Sequence, residues 1–346
     1  MDRSSGQICV VGIGAHTPVG LNAMSTAAAV RAGISGLCQH ATIVDHAGDP
    51  FRVAMDQDLC EQGRDARMLQ LAANALSEVL VRLPELGRST RLFLGLPGDE
   101  EDMMAEQAME LCRSVRAALP DWQFDVEGVP GGNAAGMLAL ERALAWLTSR
   151  PDCVCVVGGV DSLIDADVLE RLDARGQIAS ASRRWGFPPG EAAGMLALCH
   201  LSFARQHRMK VLGSIAAVAT GVEPHRIRTD SICLGAGLAD VMRRAANSSG
   251  HRIGMQYCDL NGERYREHEF SYAALRVADG VFVNAVEYVA PVDCWGHVGA
   301  ASAPLLMLLP IANRERGVLS GVWPMAWCGS DNGHRGAAVL KLEEVA

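Results

Sequence analysis

Two glycine-rich segments occur twice in this chain, in the same order, and this repeat constrains the fold more than any other feature. Residues 132–136 (GNAAG) precede one apolar helical stretch, and residues 296–301 (GHVGAA) precede another. Farther along each part, residues 190–196 (GEAAGML) resemble residues 333–340 (GHRGAAVL). Two matches in one order indicate a duplicated half. Small residues at the start of both helices also allow these helices to pack closely in a buried layer.

Strand-like and helix-like patterns alternate along both parts of the chain. In the first part, the apolar run at 8–13 predicts a strand, and the helical period at 69–83 predicts a helix. The second part follows the same plan and ends in a predicted hairpin. This alternation predicts an α/β fold with mixed sheets that helices cover. We place the boundary between an N-terminal half, residues 1–205, and a C-terminal half, residues 206–346.

Charge and hydropathy exclude two classes of partner. The chain of 346 residues has 31 Lys+Arg against 40 Asp+Glu, a formal net charge of -9, so nucleic acid is not an expected partner. No run of about 18 apolar residues occurs, and the sequence therefore predicts no membrane span. The first residues lack the cleavage pattern of a secretory signal peptide. We expect a cytoplasmic protein.

The 11 cysteines are scattered through apolar segments of the sequence. Cys153 and Cys155 alternate along a predicted strand and are therefore expected on one face. No cysteine pair has the spacing of a metal-binding finger, and no histidine cluster completes one. We expect buried thiols in a reducing compartment, and neither a metal nor another cofactor.

Six segments together resemble one protein family. They are residues 11–20, 31–36, 157–162, 187–194, 296–302 and 329–342. In this order they are similar to motifs of the β-ketoacyl-acyl-carrier-protein synthase branch of the thiolase superfamily. The resemblance covers nearly the whole chain and implies a thiolase-like, five-layer αβαβα fold with two similar halves. It also implies a dimer, and a site where the two halves meet.

The same resemblance assigns catalytic positions, most of which hold the wrong residue. Members of the family hold an acyl chain on a Cys at a helix N-terminus and decarboxylate a malonyl unit with two His and a supporting Lys. Within residues 128–136 the nucleophile position is assigned to Gly128, which has no thiol. The first His is assigned to Asn261 and the Lys to Val292, and only the second His is present, as His297. The resemblance therefore implies a catalytically degenerate relative.

Polar side chains near these positions have both a functional and a structural interpretation. His297 is a candidate general base or hydrogen-bond donor, or else a histidine that hydrogen bonds retain at a helix start. Asn261 and Glu263 are candidates for binding a ligand carbonyl, although an Asn-Gly turn after a strand is common. Ser330 and Asn332 lie in the most polar segment near the site, where they bind a ligand or belong to an ordinary loop.

Two cysteines and two tryptophans flank the same region. Cys294 and Cys328 are candidates for a substitute nucleophile, but a free Cys is more often buried and inert. Trp295 and Trp327 either fill what is an acyl tunnel in active relatives or pack in the core. The acidic residues 99–102 are expected to cap a helix rather than to bind a metal.

The sequence favours a degenerate 3-oxoacyl-ACP synthase-like protein that works by binding rather than by condensation. Its expected partners are a second copy in a homodimer, a related chain in a heterodimer, a client protein or an acyl-carrier protein. Chain-length-factor subunits of polyketide systems are a precedent for a synthase fold without its Cys. Accessory proteins linked to type VI secretion effectors are a further resemblance, and imply a client of that kind.

The alternative is a residual enzyme of the acyltransferase class. It would be an acyltransferase or decarboxylase acting on acyl or malonyl thioesters through His297, Asn261 and an ordered water. An open tunnel with a positive carrier-protein patch would favour this enzyme. A plugged tunnel with a broad apolar outer surface would favour the binding protein.

Overall fold

The computed structural model describes residues 6–59, 62–83, 90–98, 103–180, 183–318 and 323–342. The first half contains strands β1 (Ile8–His16), β2 (Leu37–Val44), β3 (Pro50–Ala54), β4 (Thr90–Leu96), β5 (Phe124–Pro130), β6 (Val154–Ser162) and β7 (Glu191–His200). Its helices are α1 (Ala23–Arg31), α2 (Arg64–Leu80), α3 (Ala105–Ala117), α4 (Ala135–Thr148), α5 (Ala166–Ala174) and α6 (Leu201–Gln206). The second half contains strands β8 (Gly213–Val222), β9 (Met255–Cys258), β10 (Tyr288–Val289), β11 (Pro324–Gly329) and β12 (His334–Leu342). Its helices are α7 (Ala236–Ser249), α8 (Arg264–Val281), α9 (Val292–Trp295) and α10 (Ser302–Glu315).

The two halves have the same strand order. The first half runs β5-β4-β6-β7-β1, and the second runs β10-β9-β11-β12-β8. In each, the first two pairings are parallel and the last two are antiparallel. Two residue pairs between β1 and β8, Cys9 with Ser214 and Val10 with Gly213, join the halves. The repeated order agrees with a duplication, and the boundary after residue 205 stays a prediction.

The ten strands form one continuous sheet, whose five-stranded parts in the two halves are called here the first and the second sheet. Helices cover both of these sheets and also separate them. α2 and α3 pack on the outer face of the first sheet, and α7 and α8 pack on the outer face of the second. α4 and α10 lie between the sheets in one large buried cluster. The architecture is therefore the thiolase-like, five-layer αβαβα fold that the sequence predicts.

Glycine explains how α4 and α10 fit between the two sheets. A Cβ added at Gly136 of α4 would lie 2.6 Å from Pro304 Cδ of α10. A Cβ added at Gly159 of β6 would lie 2.1 Å from the backbone oxygen of Ala300. Both distances are shorter than real Cβ contacts, so only glycine allows this approach. The small residues of the repeated segments therefore hold the middle layer together.

Some elements differ from the sequence-based expectations. The β2–β3 hairpin, β5 and α8 do not stand out in the sequence, because β5 mixes charged with apolar residues and α8 begins with a charged run. Residues 99–102, expected to cap a helix, lie outside the described residues. Within the described ranges, no helix has the length and apolar character needed to cross a membrane.

Candidate functional site

The turn that leads into α4 places a different residue at the helix start than the sequence predicts. β5 runs as far as Pro130, and a 3-10 turn at Gly132–Ala134 then leads into the helix. Gly128 lies inside β5, where an added Cβ would approach Leu96 and Cys112 at 2.9 and 3.0 Å. Gly128 therefore lies within a strand and not at the start of the helix, because β5 extends further than the glycine-rich pattern suggests.

Asn133 is the buried polar side chain of this turn, and it binds the second half. Only 5% of its surface is exposed, and its Nδ2 donates to Asp259 Oδ2 at 2.8 Å. Asp259, which follows β9, also accepts from the backbone N–H of Gly329 at 3.2 Å. An amide has no nucleophilic character comparable to a thiolate. The start of α4 is therefore joined to the second half through the amide of Asn133.

A cavity of about 80 Å³ lies where the two halves meet. Gly132 and Asn133 border it from the start of α4. His297 and Gly299 border it from the segment before α10, and residues 330–332 border it from the loop between β11 and β12. The cavity thus lies between the starts of the two middle-layer helices.

His297 is neutral, and its proton is on Nε2. Burial, together with the positive charge of Arg266, lowers the pKa of His297 to about 3. The ring stacks on Phe187 with 4.2 Å between centroids, and Nδ1 lies 3.2 Å from Asn261 Nδ2. Because an amide nitrogen only donates, Nδ1 is the acceptor and Nε2 carries the proton.

Asn261 is held in one orientation beside this histidine. Its Oδ1 accepts the backbone N–H of Glu263 at 3.1 Å, and its Nδ2 donates to Glu263 Oε2 at 3.0 Å. Gly262, between them, has a φ of 96°, which favours glycine. The structure therefore brings Asn261, Glu263 and His297 together, with the amide of Asn261 and the carboxylate of Glu263 bound to protein atoms.

A buried arginine that the sequence patterns do not reveal organises the carboxylates of the site. Arg266, in the first turn of α8, donates to Glu263 Oε2 at 3.0 Å, to Asp331 Oδ1 at 3.0 Å and to Asp259 Oδ2 at 3.3 Å. We call these four residues the Arg266 cluster. Arg228 adds a second cation, whose Nη2 lies 3.0 Å from Asp331 Oδ2. One buried cation thus contacts three carboxylates.

The charges of the Arg266 cluster shift one another's pKa. Burial alone would lower the pKa of Arg266, but the carboxylates, Asp259 foremost, raise it above its ordinary value. Burial raises the pKa of Asp259 even though Arg266 opposes the rise. Burial would also raise the pKa of Asp331, but Arg266 and Arg228 hold it below its ordinary value. For Asp259, the cost of burying the charge therefore outweighs the stabilisation that Arg266 provides.

Ser330 and Asn332 border the cavity but bind the backbone. Ser330 Oγ donates to the carbonyl oxygen of Gly131 at 2.5 Å and accepts the N–H of Ala134 at 2.8 Å. Asn332 Nδ2 donates to the carbonyl oxygen of Gly98 at 3.3 Å. Ser330 therefore caps the start of α4 from the other half, which is a positioning role rather than a ligand contact.

The cysteines of this region are protonated thiols. Burial raises the pKa of Cys294, which Asp293 also raises. Burial raises the pKa of Cys258 and Cys328 well above the ordinary value. A nucleophilic cysteine needs the opposite shift, because the thiolate is the reactive form. Neither predicted candidate, Cys294 or Cys328, is therefore in surroundings that would activate it.

The two tryptophans have different surroundings. Trp295 is buried and borders, with Val292, a second cavity of about 20 Å³ that also touches His297. Trp327 lies in the outer buried cluster of the second half, where its ring stacks on Phe270 with 5.0 Å between centroids. Trp295 therefore limits the space behind His297, whereas Trp327 is a core residue.

One group of side chains elsewhere has the proximity of a metal site. Among the described residues, it consists of Glu223, Cys233 and Glu269, whose ligand atoms lie within 4.8 Å of one another. Glu269 is paired with Arg335 through both oxygens, at 2.7 and 3.0 Å. Glu223 accepts the N–H of Gly237 at the start of α7 at 2.7 Å. These bonds explain the group as a structural cluster.

Comparisons with known proteins agree with this geometry. No protein-family model and no curated protein matches the sequence. A chain from the structure of a type II polyketide synthase acyl-carrier protein in complex with its ketosynthase superimposes with a TM-score of 0.80, at 14% identity, over 97% of this chain and 99% of that one. The fold is that of the ketosynthases.

Two further solved structures extend the similarity. The ishigamide ketosynthase/chain length factor gives a TM-score of 0.71 at 20% identity, over 97% of this chain and 99% of that chain. The ketosynthase from module 6 of the bacillaene synthase from Bacillus subtilis 168 gives 0.78 at 14% identity, over 98% of this chain and 72% of that one. The similarity therefore includes both a ketosynthase/chain length factor and a modular ketosynthase.

Proposed function

We propose that this chain is a non-condensing, ketosynthase-like subunit that acts by pairing with a related chain, as chain length factors do. The observation that carries the proposal is the start of α4, where Asn133 is bound to Asp259 at 2.8 Å. Condensation through an acyl-enzyme needs a thiolate at such a helix start. The assigned positions of the first His and the Lys hold Asn261 and Val292, which supply neither the imidazole nor the ammonium.

The space around His297 supports the same proposal. The two cavities measure about 80 and 20 Å³. Sites that hold a drug-sized ligand measure roughly 300–1,000 Å³. The side chain of Trp295 borders the smaller cavity, and the Arg266 cluster supplies charges where an acyl chain would need apolar walls. Neither of these two cavities holds an acyl chain of polyketide length.

An unpaired sheet edge supports pairing. β5 is the last strand of the first half and pairs only with β4 among the described strands. A groove of about 510 Å³ lies beside it, bordered by Met109, Cys112 and Val126. Exposed strand edges associate readily with other strands. A second copy, a related chain or a client such as a type VI effector would pair here, and a related chain is the partner we propose.

Acyl transfer tests the first part of the proposal. The protein is incubated with acetyl-CoA, malonyl-CoA and acyl-carrier protein loaded with either group, and its intact mass is measured. We expect an unmodified mass, whereas an active ketosynthase treated in parallel gains the acyl group. A stoichiometric adduct on any cysteine, Cys258 included, would contradict the proposal.

Light scattering tests the second part. We expect a dimer at micromolar concentration, either of this chain alone or with a related chain. Met109→Glu places a charge beside β5 and should shift the protein to monomer, because Met109 is 57% exposed at the groove. Leu275→Glu is the matched control, since Leu275 is 78% exposed on α8 of the other outer layer. Equal effects of both variants would argue against β5 as the pairing edge.

A residual decarboxylase or acyltransferase is the second candidate, and one observation favours it. His297 is neutral at pH 7 and carries its proton on Nε2, which suits a donor to a thioester carbonyl. Arg64, Arg175 and Arg228 border the same cavity and would attract a malonyl carboxylate or an acidic carrier protein. This enzyme would work without an acyl-enzyme.

A further inference from the structure

An open groove lies at the far end of α4 from His297, where β4 and β5 begin and α3 and α4 end. Its volume is about 560 Å³. The cavity beside His297 borders the start of α4 instead, and α4 has 14 residues. At about 1.5 Å of rise per residue, roughly 20 Å separate the two ends of this helix. The groove is therefore distinct from the candidate site described above.

The charges of this groove are mostly positive, although the formal net charge of the chain is -9. Three arginines and one aspartate border it, and they are Arg91 in β4, Arg116 in the last turn of α3, Arg150 just after α4, and Asp125 in β5. Thr90 and Gln123 add an uncharged hydroxyl and an uncharged amide. A cleft with an excess of one charge raises the local concentration of ions of the opposite charge. The groove therefore attracts anions.

Carboxylates neutralise these arginines only in part. In the ranges that the structure describes, the guanidinium of Arg116 has no ion-pair partner. Arg91 has one partner, Glu127, at the long distance of 3.5 Å, and Glu127 also pairs with Arg142 at 3.1 Å. One carboxylate thus serves two guanidinium groups, and the positive charge of the groove remains available to a ligand.

Arg150 is held in place by neutral groups. Its Cζ lies 4.9 Å from the centre of the Trp146 ring, which is within the range of a cation–π interaction. Its Nη1 donates to Ser149 Oγ at 2.9 Å and to the carbonyl oxygen of Trp146 at 3.4 Å. A guanidinium that rests on an aromatic ring keeps the other N–H groups of its planar edge for an anion. The side chain is therefore positioned without losing its charge to a carboxylate.

The ends of α3 and α4 explain why these cations are tolerated without closer carboxylates. A helix C-terminus carries roughly half a negative charge, which stabilises a cation such as Arg116 or Arg150 nearby. This stabilisation does not occupy the N–H donors of the two guanidinium groups. The donors are therefore free to bind the oxygens of a ligand.

We infer that this groove binds a diphosphate group, as free pyrophosphate or as part of a nucleoside diphosphate. Guanidinium groups bind phosphate oxygens in pairs. Arginines from three separate parts of the chain offer more donors than one phosphate can accept, whereas two linked phosphates supply oxygens for all three. Because the groove is open, a group attached to the diphosphate can extend into solvent. The inference goes beyond the proposed function, because it needs neither an acyl ligand nor a partner chain.

Calorimetric titration of the full-length protein with sodium pyrophosphate tests this inference, at physiological ionic strength and without divalent cations. We expect saturable binding of one pyrophosphate per chain. Sulfate and acetate at the same ionic strength should bind at least about tenfold more weakly, because each offers fewer oxygens to the arginines. Binding of pyrophosphate that does not saturate, or equally tight binding of sulfate, would overturn the inference.

Competition with nucleotides distinguishes the two sources of the diphosphate group. Displacement of pyrophosphate by ADP but not by AMP would support a nucleoside diphosphate as the ligand. Failure of ADP to displace pyrophosphate would support free pyrophosphate. Displacement by AMP as effective as that by ADP would overturn the requirement for two phosphates.

Arginine variants locate the site. Arg150→Gln and Arg116→Gln should each weaken pyrophosphate binding about tenfold, and because both side chains are exposed the fold should tolerate either change. Arg113→Gln is the matched control, since Arg113 lies on the same helix as Arg116, is 72% exposed in a surface pair with Glu110 and does not border the groove. Its affinity should change less than about twofold. Equal weakening in Arg113→Gln and Arg116→Gln would overturn the site.

Asp125→Asn gives a change in the opposite direction. It removes the carboxylate that borders the groove and should tighten pyrophosphate binding several-fold, a gain that misfolding cannot produce. Unchanged or weaker binding would count against the groove. Arg91, Arg116 and Asp125 also border the groove beside β5, so light scattering of the same samples records the oligomeric state. Pyrophosphate binding is expected whether or not the chain dimerises or gains an acyl group, so the two proposals fail separately.

Discussion

Arg67 in the first half and Arg266 in the second half are both buried arginines, and they serve different purposes. Arg67 of α2 is 1% exposed and binds one carboxylate, Glu191, with its Nε 2.7 Å from Oε2. Glu191 is completed by Ser162 Oγ at 2.8 Å and by the backbone N–H of Asp56 at 2.8 Å. Arg266 is 7% exposed, contacts three carboxylates and borders the cavity.

The difference shows how a structural ion pair is distinguished from an altered site. The Arg67 pair has one cation, one anion and a complete set of hydrogen bonds, which ties residues before α2 to the start of β7. The Arg266 cluster has more anions than cations and lies beside His297. Buried charge in unequal numbers is costly unless a function retains it. Under the proposed function, the Arg266 cluster stands where a condensing enzyme would hold its catalytic groups.

The largest effect is expected at the structural pair. Arg67→Met leaves the carboxylate of Glu191 buried without its cation and should lower the free energy of unfolding by about 3–5 kcal/mol. Urea unfolding followed by circular dichroism measures this loss. Arg82→Met is the control, since Arg82 is 39% exposed in a surface pair and its loss should cost less than about 1 kcal/mol. Similar losses in both variants would remove the distinction between the two kinds of pair.

Arg266→Met should cost less, and its cost should depend on pH. Arg266 lowers the pKa of both Asp331 and Asp259. Without it, both pKa values rise. The folded state then binds more protons than the unfolded state, so the stability of the variant falls as pH rises. We expect a loss of about 3 kcal/mol at pH 8 and a smaller loss at pH 5. A loss that does not depend on pH would mean that the charges of the Arg266 cluster are as completely paired as those of Arg67 and Glu191.

Cysteine scanning distinguishes the two assignments of the helix-start position. The thiol of Asn133→Cys lies at the start of α4, where the backbone N–H groups and helix dipole lower its pKa. The thiol of Gly128→Cys lies inside β5 against Leu96 and Cys112. Peptide mass spectrometry should show at least tenfold faster alkylation by iodoacetamide at position 133. Faster reaction at position 128 would restore the original assignment.

Neither cysteine variant should condense. The imidazole and ammonium groups assigned to positions 261 and 292 are absent in both, and catalytic groups that act as a unit are not additive. Turnover of malonyl- and acyl-carrier protein by Asn133→Cys or Gly128→Cys is the measurement. Product from either single variant would show that the remaining residues suffice.

The smallest effect is expected at His297. Its pKa is lowered to about 3 in the folded protein, against about 6.5 in the unfolded chain, so its contribution to stability is complete above pH 6.5 and declines as pH falls towards 3. Between pH 7 and pH 5 the free energy of unfolding of the wild type should fall by roughly 1–2 kcal/mol because of His297, and this fall should be absent in His297→Gln. It should cost about 1 kcal/mol at pH 8 through the bond to Asn261. An unchanged pH profile would mean that His297 is not desolvated.

The sequence predicts the fold well because the fold depends on repeated local patterns. The glycine-rich starts of α4 and α10 and the apolar strands recur in order, and close packing at Gly136 and Gly159 requires those residues. The site is less predictable. Asn261, Glu263 and His297 are found through their motifs, and the structure brings them together.

Other site residues leave no such pattern. Arg266 lies in a charged run at the start of α8 that has the composition of a solvent-exposed turn, and only tertiary packing buries it. Asn133, at the start of α4, lies five residues after Gly128, the position that the sequence predicts. The difference arises because the length of β5 cannot be read from a stretch that mixes polar and apolar residues. Gln177, which donates to Glu263 and Asp331, is distant in sequence from both.

Release of CO₂ from malonyl-CoA and malonyl-acyl-carrier protein tests the central claim most directly. The claim is that the Arg266 cluster replaces a catalytic centre and that the chain works by binding. We predict no release above the protein-free blank for the wild type, and no difference between the wild type and His297→Gln. Release by the wild type that His297→Gln abolishes, while the variant stays folded at the pH of the assay, would contradict the claim and establish the residual decarboxylase.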